Sequence, residues 1–289
     1  MVSFNCRKVL RDCLTSLRLS QPFVNYEVII VDNASSDGTP EYLRTAFPDV
    51  QLIQNKENLG FTKATNQAIR LGSGRYILWL NTDTILKPDT LYKMHRFMES
   101  NPKAGIVGPK VLNPDETFQP QCKRGMPTPF AALFYALRLH SLWPHNPVVG
   151  KYLLTHLPEN QAGQVDAVSG CCLMARREVW EEVGPLDENI FGFGEDIDWC
   201  VRAKKADWEV WYYPESVLIH FKGQGGAHAK PYLKVLGIHQ AMRVFYRKHL
   251  LSQYPWFVNG LVWIGIWVSL MLSITKVWLW QIGRLLVRK

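Results

Sequence analysis

The sequence predicts an α/β protein with a doubly wound, mostly parallel sheet flanked by helices, followed by a hydrophobic, membrane-associated helical tail. Apolar segments at 28–31 and 76–80 have the length and composition of strands buried on both faces, and a carboxylate follows each of them closely. Helical segments with short connections lie between the strands, which is typical of parallel sheets. Near the end of the chain, residues 256–275 form an uncharged run that is long enough to span a bilayer.

Charge is distributed unevenly along the 289 residues. Residues 1–215 carry 23 basic and 25 acidic residues, whereas residues 216–289 carry ten basic residues and no acid. A basic segment indicates an anionic partner, either a membrane or a nucleic acid, and the apolar character of this segment favours a membrane and no nucleic acid. The six cysteines form no CxxC pair, and the start of the chain lacks a signal-peptide pattern. We therefore expect reduced, buried thiols in a cytoplasmic domain.

The first third of the chain predicts strands that alternate with helices. The expected elements are the end of a strand at 1–5, a helix with an apolar face at Val9, Cys13, Leu14 and Leu17, a strand at 28–31, a turn with Asp37 or Thr39 as helix cap, a weak strand at 50–53, and a helix at 61–71 that stops at Gly72. The short first strand leaves open whether the chain start is late. A dinucleotide oxidoreductase would need GxGxxG after this strand, and NCRKVL stands there instead.

The strand at 76–80 ends in Asn81, Thr82 and Asp83. Ligands bind at the carboxyl ends of strands in open α/β sheets, and a carboxylate there suits Mg²⁺ or Mn²⁺ carrying a diphosphate. The alternative is a turn in which Asp83 caps the helix that begins near Pro88. Asp32 stands at the end of the strand at 28–31, so the two carboxylates are expected to face one crevice.

The middle of the chain is harder to assign. A helix at 88–98 and a strand pair at 105–113 precede a region rich in Pro, His and aromatic residues, 117–158. Residues 130–139 predict a helix, which lies either against a membrane or acceptor or over the core in the ordinary way. A strand at 165–175 contains Ser169 and Gly170, whose small size leaves room for a ligand.

Three acids follow a glycine-punctuated loop at 191–194. Glu195 and Asp196 are explained either as caps of the next helix or as a pair whose mutual repulsion raises one pKa and produces a general base. Asp198 is expected to pair with Arg202 at i,i+4. A last strand ends in His220, and the glycines at 223–226 would let backbone approach a phosphate; a structural histidine is the alternative.

The chain carries five motifs in series: VDNASSDGT, NLGFTKATNQAI, LNTDT, SGCCLMARREVWEEVGPLDENIFGFGEDIDWCVR and LIHFKGQG. These motifs resemble those of glycosyltransferase family 2, especially its rhamnosyltransferase-like branch, across roughly residues 2–250. The resemblance implies a GT-A fold, inversion at the anomeric carbon, a dTDP-, UDP- or GDP-linked sugar donor, and Mn²⁺ or Mg²⁺ as cofactor.

The resemblance also implies roles for individual residues. Asp196 resembles the catalytic base of an ED pair, with Glu195 beside it; Asp83 resembles the last acid of the DxD metal motif, and His220 the histidine that completes the metal site in some members. The residues implied to bind the nucleotide sugar are Asp32, Asn33, Asn58, Gly60, Asn66, Asn81, Asp83 and Gly170. Asn81 replaces the first acid of DxD, so coordination would depend more on His220, water and the donor diphosphate.

Taken together, these features predict an inverting glycosyltransferase that moves rhamnose or another deoxyhexose to a lipid-linked glycan in cell-surface polysaccharide synthesis. It would act at the cytoplasmic face of the inner membrane. The alternative is a catalytically silent family member that serves as a membrane scaffold for glycan assembly. The expected divisions are a GT-A domain at 1–225, with a nucleotide-sugar half at 1–115 and an acceptor and catalytic half at 116–225, a basic amphipathic segment at 226–253, and the hydrophobic tail at 254–289. Basic residues flank the uncharged run on both sides, so a span, a re-entrant helix, an in-plane helix and a buried core helix all remain open.

Overall fold

A computed structural model of the chain describes residues 1–20, 24–224 and 231–287, with side chains as far as residue 282. The strands are β1 (Val2–Ser3), β2 (Ile29–Asp32), β3 (Gln51–Gln54), β4 (Tyr76–Leu80), β5 (Thr84–Leu86), β6 (Ala104–Leu112), β7 (Lys123–Arg124), β8 (Gly163–Gln164), β9 (Ala167–Val168), β10 (Cys172–Arg176) and β11 (Glu209–His220). The helices are α1 (Arg7–Arg18), α2 (Thr39–Ala46), α3 (Phe61–Leu71), α4 (Thr90–Ser100), α5 (Pro129–Ala136), α6 (Leu139–Leu142), α7 (Arg177–Val183), α8 (Glu195–Lys205), α9 (Pro231–His249) and α10 (Trp256–Val287).

The predicted α/β class is confirmed, but the strand pairing is more mixed than predicted. Strands β1, β2 and β3 form a parallel sheet in that order. A second sheet has the order β4-β10-β6-β11-β5, with β8 on β11, and only β6 and β11 are parallel within it. Alternation of strand and helix, which predicts parallel pairing, holds for the first half of the chain. In the second half, β10 lies between β4 and β6 and is antiparallel to both, and β11 is antiparallel to β5 and β8, so strand pairing does not follow the order of the chain.

Several element boundaries differ from those predicted. The expected strand pair at 105–113 is the single strand β6, and the expected strand at 165–175 is interrupted at 169–171 between β9 and β10. The predicted helix at 130–139 ends at Ala136, and Arg138, at φ 55°, separates it from α6. Gly72 ends α3 as expected, and Gly184 ends α7.

The core lies around the larger sheet. Helix α1 packs against β5, α4 packs against β6 and β11, and α8 packs against β9 and β11. Met94 and Met98 of α4 and Trp199 of α8 are fully or almost fully buried in this core. The six cysteines are all buried and free, as expected.

The carboxyl-terminal helices α9 and α10 pack against each other. Within the described residues, the stretch Trp256–Ile282 of α10 is long and apolar enough to cross a membrane, with a mean hydropathy of 1.9, and 6% of it is buried. The alternative of a buried core helix is therefore wrong. The predicted domain boundary after residue 225 lies outside the described residues.

Candidate active site

Gly170 and Cys171, in the turn between β9 and β10, form hydrogen bonds with two of the candidate residues. The amide of Gly170 donates to Asp196 Oδ2 at 2.8 Å, and the carbonyl of Cys171 accepts from the amide of Asn81 at 2.9 Å. A Cβ on Gly170 would lie 2.9 Å from Trp79 Cζ2 and 3.2 Å from the Asp196 Cβ, so only glycine fits here. The turn thus brings the end of β4 next to the first turn of α8.

Glu195 and Asp196 both lie in the first turn of α8, where the helix dipole favours carboxylates. Gly194, at φ 103°, precedes them in a left-handed conformation that suits glycine. Both acids are buried. Asp196 Oδ2 accepts from Arg124 Nη2 at 2.6 Å as well as from Gly170, and Oδ1 accepts from the amide of Ile197 at 2.8 Å.

Arg124 is a site residue that the sequence did not reveal. Its guanidinium is buried and also donates to the carbonyl of Val168 at 2.7 Å. Burial alone would lower the pKa of Arg124, but Asp196 raises it above its usual value, so the pair is a buried ion pair. The only signal was a Lys-Arg dipeptide in a region without recognisable motifs, and nothing in that signal points to Asp196.

The carboxyl group of Glu195 is buried, and its pKa is shifted from the ordinary value. Its Oε2 is buried and has no hydrogen-bond partner in the structure. Burial and the negative charge of Asp196 raise the pKa of Glu195. The expectation that repulsion raises the pKa of one acid is confirmed, and the acid concerned is Glu195.

The candidate metal ligands lie where two paired strands meet: Asp83 directly precedes β5, and His220 is the last residue of β11, which pairs with β5. Asp83 Oδ1 lies 3.3 Å from His220 Nε2, and Asp83 Oδ2 accepts from the amides of Gly223 and Gln224, each at 3.1 Å. Burial would lower the pKa of His220, but Asp83 and Cys171 outweigh this effect and raise it to about 10. Gly223 and Gln224, the first two residues of the stretch 223–226, thus contact the candidate site. Gly225 and Gly226 lie outside the described residues.

Gln119 orients His220. Its Nε2 donates to the carbonyls of Leu112 and His220, so its Oε1 is the acceptor that faces His220 Nδ1 at 3.2 Å. With Nδ1 donating to Gln119, Nε2 is the atom that faces Asp83. Such an outer partner holds metal-binding histidines in one tautomer in many proteins.

These atoms fit a divalent cation. His220 Nε2 and Asp83 Oδ1 face each other, which requires a proton or a cation between them, and the Oδ1 of Asn81 is buried without a hydrogen-bond partner among the described residues. Oxygen and imidazole ligands suit Mn²⁺ and, for the oxygens, Mg²⁺. In the part of the chain with described side chains, no three His, Cys, Asp or Glu residues cluster as a metal site. Water and a diphosphate would have to complete the coordination.

The candidate nucleotide residues on the parallel sheet are held by internal hydrogen bonds. Asp32 is fully buried and accepts from Ser3 Oγ at 2.8 Å and from the amide and Oγ of Ser35 at 2.9 and 2.5 Å. Asn33 Nδ2 donates to the carbonyl of Gly60 at 3.1 Å. These contacts hold β1, β2 and the segment before α3 together at one edge.

Asn58, Gly60 and Asn66 shape the segment around the start of α3. Asn58 Oδ1 accepts from the amide of Gly60 at 2.9 Å, and a Cβ on Gly60 would lie 2.6 Å from the Phe191 ring. Asn66 is fully buried, and its amide is engaged by the backbone of Leu186 and by Glu188. Asn66 therefore positions the segment before the acid pair, with its Nδ2 engaged by Leu186 and Glu188.

The loop at 191–194 lies between α3 and α9. The amide of Phe61 donates to the carbonyl of Phe191 at 3.1 Å, and the Nζ of Lys234 lies 5.6 Å from the centroid of the Phe193 ring. A Cβ on Gly194 would lie 3.5 Å from the Ala241 Cβ. Helix α9 therefore contacts the segment that carries the acid pair.

Asp198 of α8 connects α8 to α9 more firmly than the loop does. The expected pair with Arg202 is present at 3.0 Å, and Asp198 also accepts from Lys248 Nζ and from His249 Nε2, at 3.1 and 2.7 Å. Burial would raise the pKa of Asp198, but the hydrogen bonds from His249 and Lys248 outweigh it and lower the pKa to about 2. Asp198 is thus a fully buried carboxylate whose partners come from both helices.

An Asp and a His on paired strands, beside an acid pair at a helix start, agree with the arrangement expected for a glycosyltransferase of the GT-A type. The chain belongs to glycosyltransferase family 2: the family model described as "Glycosyl transferase family 2" matches residues 1–184. Glu195, Asp196 and His220 lie beyond that match.

Relatives and solved structures agree with this assignment. The chain is 31% identical over 206 residues to an N-acetylglucosaminyl-diphospho-decaprenol L-rhamnosyltransferase of Mycobacterium tuberculosis, covering 68% of this chain and 66% of the relative. It is 26% identical over 190 residues to a low-salt glycan biosynthesis hexosyltransferase of Haloferax volcanii, covering 63% and 54%. A mannosyltransferase of Pyrobaculum calidifontis, solved with GDP-Man and Mn²⁺, has a TM-score of 0.60 at 16% identity, covering 100% of this chain and 79% of that one. This likeness shows the fold.

Proposed function

We propose that this protein transfers a sugar from a nucleotide-diphosphate donor to a lipid-linked saccharide with inversion, and that the sugar is rhamnose or another deoxyhexose. The observation that carries the proposal is the turn at Gly170 and Cys171, whose backbone joins Asp196 to Asn81, two residues before Asp83. A donor diphosphate near Asp83 and a sugar near Asp196 would then be neighbours. The rhamnosyltransferase relative supports the choice of sugar and of a polyprenyl-linked acceptor.

The reaction follows from these groups. The acceptor hydroxyl oxygen attacks the anomeric carbon from the face opposite the diphosphate, the bond from that carbon to the diphosphate oxygen breaks, and the hydroxyl proton passes to a carboxylate. Asp196 Oδ1 is suited to accept it, because Oδ2 already has two donors and Oδ1 has only the Ile197 amide. The products are the inverted glycoside and a nucleoside diphosphate.

A divalent cation held by Asp83 and His220 would neutralise the charge that develops on the leaving diphosphate. His220 would bind through Nε2, because Gln119 engages Nδ1. The amides of Gly223 and Gln224, which hold Asp83 Oδ2, keep its other oxygen directed toward His220. Manganese in the structural neighbour is consistent with this choice of cation.

The proposed location is the cytoplasmic face of the cell membrane. Helix α10 exposes an apolar surface of membrane-spanning length, and the basic residues after residue 215 would lie against anionic headgroups. A polyprenyl-linked acceptor is confined to the same membrane. The tail would therefore raise the effective concentration of enzyme and acceptor for each other.

Transfer assays with purified full-length protein test this proposal. A panel of dTDP-, UDP- and GDP-sugars is offered with a polyprenyl-diphosphate saccharide and Mn²⁺ or Mg²⁺, and we expect turnover with one donor class that EDTA abolishes. Nuclear magnetic resonance of the product should show inverted anomeric configuration. Donor binding without turnover across the whole panel would instead favour the membrane scaffold, for which the neutral Asn81 is the supporting feature.

A further inference from the structure

A second apolar surface lies on the segment 129–148, far from α10 in sequence. Six large apolar side chains of this segment are between 50% and 68% exposed: Phe130, Leu133, Leu137, Leu142, Trp143 and Val148. Only Ala131 is buried in α5, and no residue is buried in α6. The alternative that the helix predicted at 130–139 covers the core in the ordinary way is therefore wrong. Exposed apolar residues in this number on one short segment are typical of an interaction surface.

The charge of the surrounding chain favours an anionic partner. Residues 117–158 contain no Asp or Glu, and the exposed side chains of Arg138 and Lys151 lie within this stretch. Aromatic and apolar residues combined with basic residues, and without acids, are typical of segments that lie in the interface of anionic bilayers. A protein partner of ordinary composition would give no reason for the absence of acids.

The segment is joined to the catalytic end of the molecule. The Tyr135 ring of α5 lies 4.9 Å from the Tyr152 ring, and Tyr152 in turn contacts Arg124, the partner of Asp196. The buried Lys123 donates to the carbonyls of Leu154 and Leu157, at 2.6 and 2.9 Å, and holds in place the chain that follows the segment. Residues 129–148 therefore border the site on the Arg124 side, whereas α9, on which α10 packs, borders it on the side of the 191–194 loop.

We propose that residues 129–148 form a second membrane contact, which inserts into the headgroup region of an anionic bilayer beside the path of the acceptor. This inference rests on the proposed function in one respect: a lipid-linked acceptor has to bring its sugar to Asp196 from the bilayer surface. With contacts on both sides of the site, the catalytic opening faces the membrane. Helix α10 alone would hold the protein at the bilayer without determining which face of the domain meets it.

A fluorescent reporter tests the contact without any transfer reaction. The six native cysteines are buried, so a cysteine introduced by Leu142→Cys is the one that reacts with an environment-sensitive dye in the folded full-length protein. Thr45→Cys, on the exposed face of the polar helix α2, is the matched control. In vesicles of phosphatidylglycerol and phosphatidylethanolamine, we expect blue-shifted emission and quenching by doxyl lipids for the label at 142 and neither effect for the label at 45.

Two results would overturn the inference. Equal, water-like emission at both positions would show that the segment stays in solution. A blue shift at position 142 that rises with protein concentration, and that doxyl lipids do not quench, would show that a second copy of the chain covers the segment.

A kinetic test connects the contact to catalysis. The triple variant Phe130→Ser, Leu142→Ser, Trp143→Ser changes exposed side chains and should fold normally. We expect KM for a long-chain lipid acceptor to rise about tenfold or more, with unchanged kcat/KM for a water-soluble short-chain acceptor. Equal losses with both acceptors would contradict a membrane role. If no donor and acceptor pair reacts at all, the proposed function fails, and the lipid quenching still decides the membrane contact.

Discussion

Replacing Asp196 by Asn tests both roles of its carboxylate, as the proposed general base and as the ion-pair partner of Arg124. The amide cannot accept the proton of the acceptor hydroxyl, so kcat should fall by about 10²–10⁴, the usual contribution of a general base. This corresponds to about 3–5 kcal/mol in the activation barrier. Affinity for the donor nucleotide should change little, because the donor diphosphate is expected at Asp83.

The same substitution should also destabilise the fold. The side chains of Arg124 and Asp196 are 10% and 11% exposed, and their closest atoms are 2.6 Å apart. Removing one partner of a buried ion pair leaves the other charge uncompensated, which costs about 3–5 kcal/mol. The double variant Arg124→Met, Asp196→Asn removes both charges and should recover most of the lost stability. It should not recover turnover.

Three measurements separate these effects. Thermal unfolding in detergent follows the stability of the wild type, the single variant and the double variant, while steady-state transfer and titration calorimetry give kcat and donor affinity. Glu195→Gln is the matched control, since a protonated Glu195 resembles the amide. More than about a tenth of wild-type turnover in Asp196→Asn, or recovery of turnover in the double variant, would refute the role of Asp196 as base.

Three further predictions concern metal, pH and membrane. Asp83→Ala and His220→Ala should each weaken donor binding in Mn²⁺ and have little effect in EDTA, as measured by calorimetry; equal losses in both would indicate a structural role. The pKa of Glu195 is raised in the fold above its ordinary value of 4.5. The free energy of unfolding should therefore fall as the pH rises above about 4.5, because the unfolded chain ionises Glu195 more readily than the folded one. Glu195→Gln should therefore become more stable than wild type on going from pH 4 to 9 in thermal unfolding, and parallel curves would contradict the shift. High salt should leave the full-length protein in membranes and release much more of a chain cut after Tyr254, which keeps only its interfacial contacts; equal release of both would mean that α10 does not insert.

Local patterns predicted those parts of the site that depend on neighbouring residues. Buried strands ending in Asp32 and near Asp83 follow from short apolar runs and the turns after them, and the acids after a glycine loop follow from helix-start signals. The family motifs assigned roles to these acids but predicted none of the contacts between them. The close approach at Gly170 results from packing against Trp79, which the spacing of residues in the sequence does not predict.

Contacts between distant residues could not be predicted in this way. Arg124 is 72 residues from Asp196, and His249 is 51 residues from Asp198. Neither pair belongs to one periodic segment, so only the assembled fold brings its members together. The mixed pairing of the larger sheet was missed for a related reason, because alternation of strands and helices says nothing about strands that follow turns.

The contacts of Asp198 also have a consequence for the order in which the protein is made. Lys248 and His249, which hold this carboxylate inside the domain, are translated 50 and 51 residues after it. A nascent chain that has just completed α8 therefore contains both acids of the site but lacks two of the groups that anchor their helix. Helix α8 obtains its full set of contacts only when the ribosome has reached the segment next to α10. Completion of the candidate site and arrival of the candidate membrane helix thus fall close together in synthesis.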